Sequence, residues 1–450
     1  MTFSTLDAIA KKAIIFSAFS PLLAGCAGEP LPDDHTQTVR SAITLGGHVG
    51  GISDGAFAEA RDNFNLQEEV TDGIGPVFNE RACGNCHTLG AQGGAGVQIE
   101  RRYGRFVNGV FDSMDSSGGS LRQLFSVGTF TTSTGRTCTV PVEREPAGAT
   151  VHNVGRLTTP LFGLGLVDAM PDAFFDRLVA AEPAEVRGTV LRAPVLLPNP
   201  ADASQNIGSV RVARFGWKAG ISNLATFAAD AYKNEMGITT QHCFRGRSIT
   251  DFAIESAPNG AAMATGCDDL AAAAPDGIPA GTDDAVGVCA SGQTELQEDV
   301  QNFLTFMTFL APPERDFGDQ VAIGAGAPLF SQVGCNGCHV TTTFVTPNPS
   351  PNGVPGGMSF NPFSDFAVHD MGALGDQIGN NGETVEQTRR MRTAPLWGIR
   401  FRNSFLHDGR TGNLADAILA HDGQGLAAAN AFRRLTGAQQ HNLTQFVRSL

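Results

Sequence analysis

The sequence carries few charges and, beyond its N-terminal region, has no long apolar run. Only 17% of its 450 residues are charged, against roughly 25% in an average soluble domain, and the formal net charge is −14. An acidic chain is repelled by phosphate groups, so nucleic acid and anionic membrane surfaces are not expected partners. After residue 23, no stretch reaches the roughly 18 consecutive apolar residues of a membrane helix. The 54 Gly and 24 Pro residues indicate many loops.

The N-terminal region has the pattern of an export signal. Lys11 and Lys12 precede a short apolar run, and small residues follow up to Cys26. The ending Leu-Ala-Gly-Cys resembles a bacterial lipobox, which would make Cys26 a lipidated residue; an ordinary signal peptide is the alternative. We expect a signal peptide over 1–26 and a polar tether over 27–48. The mature protein would be periplasmic and would meet the membrane, by expectation the outer one, only through its lipid anchor.

Two copies of the pattern C-x-x-C-H carry the chemistry. The pattern is the attachment signature of c-type haem, because two thiols on one helical turn can bond the haem vinyl groups while the next His faces the iron. A zinc site would need two further ligands per motif, and a thioredoxin-like site would need a βαβ context that is missing. We predict two covalently bound haems c, haem 1 and haem 2, held by Cys83, Cys86 and His87 and by Cys335, Cys338 and His339.

An internal repeat indicates two haem domains. The segment 75–78 precedes the first motif as the similar segment 327–330 precedes the second, and both are predicted to begin a helix at proline. Downstream, the segment 158–163 (T-T-P-L-F-G) matches 393–398 (T-A-P-L-W-G). Two similar pairs in the same order indicate a duplicated unit.

The predicted fold is mainly α, with two cytochrome c-like haem domains and long irregular loops. Residues 256–293, rich in Ala, Gly, Asp and Pro, are predicted to form a long loop. Pro312 and Pro313 end a helix and mark the boundary between an N-terminal domain over 49–312, with haem 1, and a C-terminal domain over 313–450, with haem 2. An apolar stripe that includes Val300, Phe303 and Leu304 predicts a helix over 294–310. Segments 224–234 and 427–450 are also expected to be helical.

These motifs, together with further segments, resemble the di-haem oxidoreductases, a family assigned to the peroxidases and sometimes labelled thiol oxidoreductases. Its relatives are the bacterial di-haem cytochrome c peroxidases and the di-haem enzyme that matures methylamine dehydrogenase. The resemblance covers nearly all of the predicted mature chain. Besides both haem motifs, it rests on residues 72–79, 160–166, 214–219, 235–239, 369–372, 392–398, 405–410 and His421.

For haem 2, the resemblance implies an iron whose two axial positions are both occupied by side chains, which leaves no position for a substrate. In the peroxidase relatives, the second iron binds a residue fourteen positions after the His of an F-x-H-x-G segment, and that count from His407 leads to His421. His339 and His421 would then be the two axial ligands, with a lower reduction potential than a Met ligand gives. The alternative for His421 is a surface His beside a Gly-rich turn. His407 and His369 are expected near the ligands or at an interface.

For haem 1, the sequence offers no obvious second iron ligand, so an open iron is expected, and at one ligand position the chain departs from the peroxidases. Tyr103 stands where the peroxidases carry a displaceable His, and His152 matches no ligand position. Glu235 matches their distal acid, which moves a proton between the peroxide oxygens; a solvated Glu at a helix end is the alternative. Trp217 resembles the tryptophan that lies between the two haems and relays electrons; buried packing is the alternative.

Arginines and a cation complete the expected cofactor sites. Arg156, Arg392 and Arg410 suit haem propionates, because guanidinium matches carboxylate geometry, although ordinary surface pairing is equally compatible with each. The peroxidase relatives also hold Ca²⁺ between their domains through backbone oxygens. The resemblance therefore adds Ca²⁺ as an optional ion.

Four cysteines lie outside the haem motifs and the signal segment. In an oxidising compartment they are expected to form two disulfides, with three possible connectivities. Sequence proximity favours Cys267–Cys289, which leaves Cys138–Cys243. A redox-active thiol pair is the rival interpretation, although none of the four forms a C-x-x-C.

The resulting functional prediction is an exported di-haem peroxidase. Hydrogen peroxide would react at haem 1 with Glu235 as acid and base. Haem 2 would relay electrons through Trp217 from a small donor protein, a cytochrome or a cupredoxin. Two alternatives stay open: oxidation of a protein or organic substrate by a high-valent haem pair, and electron transfer alone by a lipoprotein with both haems closed.

Overall fold

The structure is a computed structural model, and it describes residues 44–69, 72–132, 134–238, 240–249 and 289–450. The predicted signal peptide with Cys26, most of the tether, and most of the loop 256–293 with Cys267 lie outside the described residues. The predictions made for them stay predictions. Among the described residues, no helix is both long enough and apolar enough to cross a membrane.

Helices occur along the whole described chain, and most are short. They are α1 (Asp54–Phe64), α2 (Cys83–Cys86), α3 (Leu164–Asp168), α4 (Asp172–Ala180), α5 (Leu224–Met236), α6 (Glu298–Phe309), α7 (Gln320–Gln332), α8 (Val385–Thr388), α9 (Leu414–Leu419), α10 (Leu426–Arg433) and α11 (Gly437–Ser449). α5 ends at Gly237, which adopts a left-handed conformation (φ 76°) that glycine tolerates best.

The strands form small antiparallel sheets. They are β1 (Val77–Phe78), β2 (Ile99–Val107), β3 (Val110–Asp112), β4 (Leu121–Arg122), β5 (Phe125–Ser126), β6 (Gly128–Thr131), β7 (Thr137–Val140), β8 (Val151–Leu157), β9 (Arg192–Pro194), β10 (Val210–Val212), β11 (His242–Phe244), β12 (Arg247–Ile249), β13 (Phe344–Val345), β14 (Ser359–Phe360), β15 (Val368–Asp370) and β16 (Arg390–Arg392). In the described part, β2 pairs with β3, β4 and β8, with Ile99 opposite Leu157, and every other sheet has two strands.

The prediction of a mainly α fold is wrong. Helical turns account for 31% of the described residues and strands for 18%, spread over many small sheets. The strands lack the alternation of apolar and polar residues from which strands are usually predicted. In β2, only Tyr103 and Gly104 are buried, and charged residues occupy most of the other positions. Backbone ladders, rather than a continuous apolar face, hold such strands in place.

The three segments predicted to be helical, 224–234, 294–310 and 427–450, are helical in the structure. α5 and α6 confirm those over 224–234 and 294–310, and the apolar stripe of α6, which includes Val300 and Phe303, is buried where α6 packs against α1 and α5. The helical prediction for 427–450 is confirmed too, as two helices, α10 and α11. They are separate because Thr436 leaves the helical conformation and caps the start of α11.

The segments ahead of the two motifs also differ from the prediction. Residues 75–78 were expected to begin a helix, yet they contain β1, which pairs with β5. The backbone N–H of Gly75 donates to the Met236 carbonyl and that of Asn79 to the Glu235 carbonyl, so this segment runs extended along the end of α5. Residues 327–330 do lie in a helix, α7, but inside it rather than at its start.

Two hydrophobic clusters form most of the core. The first surrounds α1, α3, α5 and α6 and also includes Phe344 and Trp397 from the C-terminal part of the chain. The second joins α7, α9, α10 and α11, with Phe330 and Phe446 in ring contact at 5.3 Å between centroids. The boundary between 49–312 and 313–450 stays a prediction.

The disulfide pairing differs from the one expected. Cys243 in β11 is bonded to Cys289, with an S–S distance of 2.06 Å, so both predicted pairs are wrong. The reason is a tertiary one: Cys243 also exchanges backbone hydrogen bonds with Glu295, which aligns the segment after Cys289 with β11. Cys138 is disulfide-bonded as well.

Candidate functional site

The first C-x-x-C-H motif forms the single helical turn α2, and His87 follows at its end. Cys83 and Cys86 are free thiols. The His87 Nδ1 donates a hydrogen bond to the Gly94 carbonyl at 3.1 Å, and the imidazole packs beside the Phe64 ring. Both thiols and the imidazole line one cavity of about 750 Å³, which we call cavity A.

Cavity A is polar, and its walls come from α2, α5, β2 and the loop that contains Trp217. Among the described residues that line it, His87 is the only histidine. The Lys218 amine also faces this cavity, but it is bound to the Thr388 carbonyl at 2.7 Å and to Asp376 at 3.3 Å. The described lining therefore offers one imidazole, that of His87 in the motif itself.

Glu235 lies on the wall of cavity A at the end of α5. The Asn79 amide donates to its Oε2 at 2.7 Å, and Glu100 shares a hydrogen bond with it. Burial, followed by the negative charge of Glu100, raises the pKa of Glu235 to about 8. Burial opposes ionisation of Glu100 too, but the Arg102 guanidinium, 2.6 Å away, lowers the pKa of Glu100. Glu235 therefore holds a proton at neutral pH beside an ionised carboxylate.

The second motif begins with the 3₁₀ turn Cys335–Gly337 and lines a smaller cavity of about 300 Å³, cavity B. His339 lies on this wall and donates from Nδ1 to the Phe363 carbonyl at 2.9 Å. His421 lines the same cavity and donates from Nδ1 to the Ala417 carbonyl, also at 2.9 Å. These bonds leave the Nε2 atoms of both rings for another partner.

Trp217 lines both cavities. Its indole N–H donates to the Leu157 carbonyl at 2.8 Å, and its ring lies 6.2 Å from that of His407, which is buried beside cavity B. The backbone N–H of Arg392 donates to the Trp217 carbonyl at 2.8 Å. The indole thus occupies a fixed position between the two motifs.

Two guanidinium groups face cavity B. Arg392 donates to the carbonyls of Gly216 and Thr393, at 2.7 and 3.1 Å. Arg402, which sequence reasoning missed, has no hydrogen bond or ion pair from its guanidinium to any other described residue. Burial lowers the pKa of each to about 10, and the charge of Arg402 adds to the effect on Arg392. Two neighbouring cations that face a cavity suit an acidic group on a ligand.

The remaining candidates are dispersed. Arg156 lines cavity A and pairs with Asp376 at 2.8 Å. Arg410 is exposed, and His152 is exposed and bonded to a glutamate. Tyr103 is buried in β2, outside the lining of cavity A. Glu100 and Asn79 were also missed; Glu100 could have been found only by recognising β2 as a strand, in which Glu100 and Arg102 share a face.

The residues present fit a haem in each cavity. Each cavity carries two free thiols and the His of a C-x-x-C-H motif. Each of these His side chains, and His421 as well, donates Nδ1–H to a backbone carbonyl, which is the usual arrangement of an imidazole that binds a metal through Nε2. The unpaired guanidinium of Arg402 would provide a partner for a haem propionate.

Comparison with known families decides the class of the protein. A family model described as "Di-haem oxidoreductase, putative peroxidase" matches residues 147–450, which is more than half of the chain. The chain belongs to this family. This di-haem oxidoreductase is accordingly an enzyme of oxidation–reduction with haem as its cofactor, and the resemblance inferred from the sequence is confirmed. The match includes the second motif, Trp217 and Glu235, while the first motif precedes it.

No curated protein matches the di-haem oxidoreductase. Among solved structures, hydrazine synthase from Kuenenia stuttgartiensis, studied under xenon pressure, is similar with 17% sequence identity and a TM-score of 0.25. The similarity covers 41% of this chain and 66% of that chain, slightly less than two thirds of its length. A similarity of this size carries no argument about function.

One further cluster of ligand-type side chains lies beside the second motif. Within the described ranges, only Cys338, Asp365 and His369 bring three such atoms together. His369 Nε2 is 3.0 Å from an Asp365 oxygen, and its Nδ1 is 3.6 Å from the Cys338 sulfur. Ca²⁺ prefers an all-oxygen shell, which this cluster does not provide. The Ca²⁺ of the di-haem oxidoreductase stays a prediction.

Proposed function

We propose that this di-haem oxidoreductase attaches two haems covalently and reduces hydrogen peroxide to water at haem 1, while haem 2 relays electrons. The observation that carries the proposal is the difference in imidazoles. Among the described lining residues, cavity A has one histidine, His87, whereas cavity B has His369, His407 and His421 besides His339. Of these three, His421 has the arrangement of a second ligand, because its Nδ1 donates to the Ala417 carbonyl and leaves Nε2 for iron. A single protein ligand leaves an iron position for substrate, and a second imidazole closes it.

The chain supplies the holding groups for each haem. Cys83 and Cys86 would hold haem 1 in cavity A, and Cys335 and Cys338 would hold haem 2 in cavity B. The unpaired guanidinium of Arg402 would orient the acidic edge of haem 2. When bound, haem iron supplies the electron-transfer chemistry that cleaves the peroxide O–O bond.

Glu235 handles the protons of this reaction. Hydrogen peroxide consumes two electrons and two protons to form two waters. The Glu235 carboxylate accepts a proton from one peroxide oxygen and donates it to the other, so that this second oxygen leaves as water. Because burial and Glu100 raise the pKa of Glu235 to about 8, the group can hold and release a proton near neutral pH. The Asn79 amide keeps the carboxylate in place.

Trp217 is the proposed route for electrons between the two sites. Its position in the lining of both cavities supports this role, as does its contact with His407.

We further propose that the electrons come from a small cytochrome or cupredoxin, and that the protein is exported and lipid-anchored at Cys26. An intact mass with two porphyrins and the lipid would support the covalent and lipid attachments together.

Spectroscopy of the ferric holoprotein tests the proposal. We expect one high-spin and one low-spin haem, with peroxide altering the high-spin signal first. The variant His421→Ala should convert the low-spin haem to high spin, because it removes one axial imidazole. The variant His152→Ala, at an exposed histidine outside both cavities, serves as the control and should leave both signals unchanged. Two low-spin signals in the wild-type protein, with no response to peroxide, would instead support electron transfer alone.

A further inference from the structure

Tyr232 lies in α5, three residues before Glu235, but it does not line cavity A. Its side chain is only 1% exposed. The phenol O–H is directed at two carboxylates, Glu68 Oε1 and Asp299 Oδ2, each 3.1 Å away. Asp299 Oδ2 also accepts a hydrogen bond from the Gln297 amide at 2.9 Å, which fixes its position. A buried phenol therefore has two proton acceptors within hydrogen-bond distance.

A row of aromatic rings connects Tyr232 with the first motif. The Tyr232 ring lies 5.1 Å from that of Phe303, Phe303 lies 6.1 Å from Phe64, and Phe64 lies 5.9 Å from the His87 imidazole. Each spacing is that of rings in direct contact. Both phenylalanines belong to the first hydrophobic cluster and are buried.

Tyr232 is chemically distinct from the other rings of this row. A phenol can give up an electron when its proton has an acceptor, whereas a phenyl ring resists oxidation. The chain has 30 Phe but only two Tyr and two Trp. The tyrosine at the far end of the row is thus one of very few oxidisable rings, and it is the one with two carboxylates at its O–H.

We propose that Tyr232 is an oxidisable site that gives one electron to haem 1 through the row Phe303, Phe64 and His87. The inference rests on the proposed reaction with hydrogen peroxide, which is the oxidant. The phenolic O–H bond breaks, and its proton forms a new O–H bond on Glu68 or Asp299. This electron is one of the two that hydrogen peroxide needs, with two protons, to form two waters; the other electron comes from haem 2, and both protons come from solvent. A neutral tyrosyl radical is left at Tyr232.

The phenolic proton of Tyr232 behaves differently on the two carboxylates. Glu68 is only 4% exposed and would keep the proton close to the phenolic oxygen, which favours its return when the radical is reduced. Asp299 is half-buried and can exchange its proton with solvent. The site can therefore store an oxidising equivalent away from cavity A and release it later to a donor.

Rapid-freeze electron paramagnetic resonance of the holoprotein, after hydrogen peroxide is added, tests this inference. We expect a tyrosyl radical that narrows when the protein contains ring-deuterated tyrosine. The signal should be lost in Tyr232→Phe, which keeps the ring, and retained in Tyr103→Phe, the matched change at the other tyrosine. The double variant Glu68→Gln/Asp299→Asn should also lose most of the signal, because the proton has no acceptor.

The outcomes separate this inference from the proposed function. Peroxide consumption without a tyrosyl radical, or a radical that survives in Tyr232→Phe, would overturn the role of Tyr232 alone. If the protein does not react with peroxide, the proposed function is wrong. In that case, photo-oxidation by a ruthenium tris-bipyridine sensitiser with an electron acceptor still examines the site: a tyrosyl radical lost only in Tyr232→Phe would uphold it, and its absence would overturn it.

Discussion

Cavities A and B are built around the same five-residue pattern, yet their surroundings differ in almost every respect. Carboxylates line cavity A, namely Glu80, Glu100, Asp115, Asp230 and Glu235, and His87 is the only histidine among its described lining residues. Cavity B has mostly apolar walls and brings His421 to the side of His339. A repeated local motif thus acquires two chemical settings, because the tertiary structure decides what faces the imidazole.

The two settings also depend on different parts of the core. The walls of cavity B come from the second hydrophobic cluster, which contributes Phe330, Leu414 and Val447. Cavity A takes its walls from β2, from the end of α5 and from loops, with polar side chains fixed by hydrogen bonds. Packed apolar side chains therefore form the walls of cavity B, whereas hydrogen bonds between polar side chains hold the walls of cavity A in place.

Removal of the proton-carrying group of cavity A should have the largest effect. In Glu235→Gln, the amide cannot pass a proton between the peroxide oxygens, and we expect kcat for peroxide to fall about 10²- to 10⁴-fold. Steady-state peroxide consumption with an artificial one-electron donor measures the effect. Glu80→Gln, at another carboxylate of the same cavity, is the control and should change kcat little. Undiminished turnover in Glu235→Gln would show that Glu235 does not transfer a proton between the peroxide oxygens.

A core substitution should disturb one cavity and spare the other. Phe446 is buried in the second cluster against Phe330, so we expect Phe446→Ala to lower the free energy of unfolding by about 3–5 kcal/mol. The signal of haem 2 should change, and that of haem 1 should persist. Denaturant unfolding followed through both haem spectra measures this.

The matched substitution on the other side is Phe306→Ala. This residue is buried in the first cluster, 4.6 Å from the Phe64 ring that packs on His87. It should lower stability by a similar amount but perturb haem 1. If each variant altered both haem spectra equally, the claim that each hydrophobic cluster supports one cavity would be wrong.

The smallest effect concerns the pH dependence of cavity A. Turnover should rise with pH as Glu235 loses its proton, with a midpoint near the pKa of about 8. Glu100→Gln removes the neighbouring negative charge, which makes ionisation of Glu235 easier and moves the midpoint to lower pH. A pH–rate profile measures the change, and Glu145→Gln, outside cavity A, should leave it unaltered. A midpoint that stays in place would exclude Glu100 as a cause.

The same raised pKa has a consequence for stability. In the unfolded chain Glu235 should titrate near its ordinary value of 4.5, whereas in the folded protein it keeps its proton up to about pH 8. Between these values the folded state binds more protons than the unfolded state, so the contribution of Glu235 to stability falls as pH rises. In Glu235→Gln this part of the pH dependence should disappear.

Local patterns accounted for part of the architecture. The apolar stripe of α6 predicted that helix, because these side chains face a core, and α5 was also expected to be helical. The strands could not be predicted in the same way, because β2 and its partners are held by backbone hydrogen bonds, and most side chains of β2 are half-buried and do not alternate between apolar and polar. The pairing of Cys243 with Cys289 depended on the alignment of a distant segment with β11, which spacing along the chain does not encode.

The sequence by itself determined that the chain belongs to the di-haem oxidoreductase family and that it has two C-x-x-C-H motifs. The motifs can be recognised in this way because their reactive residues lie within five adjacent positions. Only the tertiary structure decided that Glu100 lies against Glu235 and that Arg402 faces cavity B without a partner. Burial and the charge of a neighbour alter a side chain's protonation through space, so they depend on contacts between segments far apart in the chain.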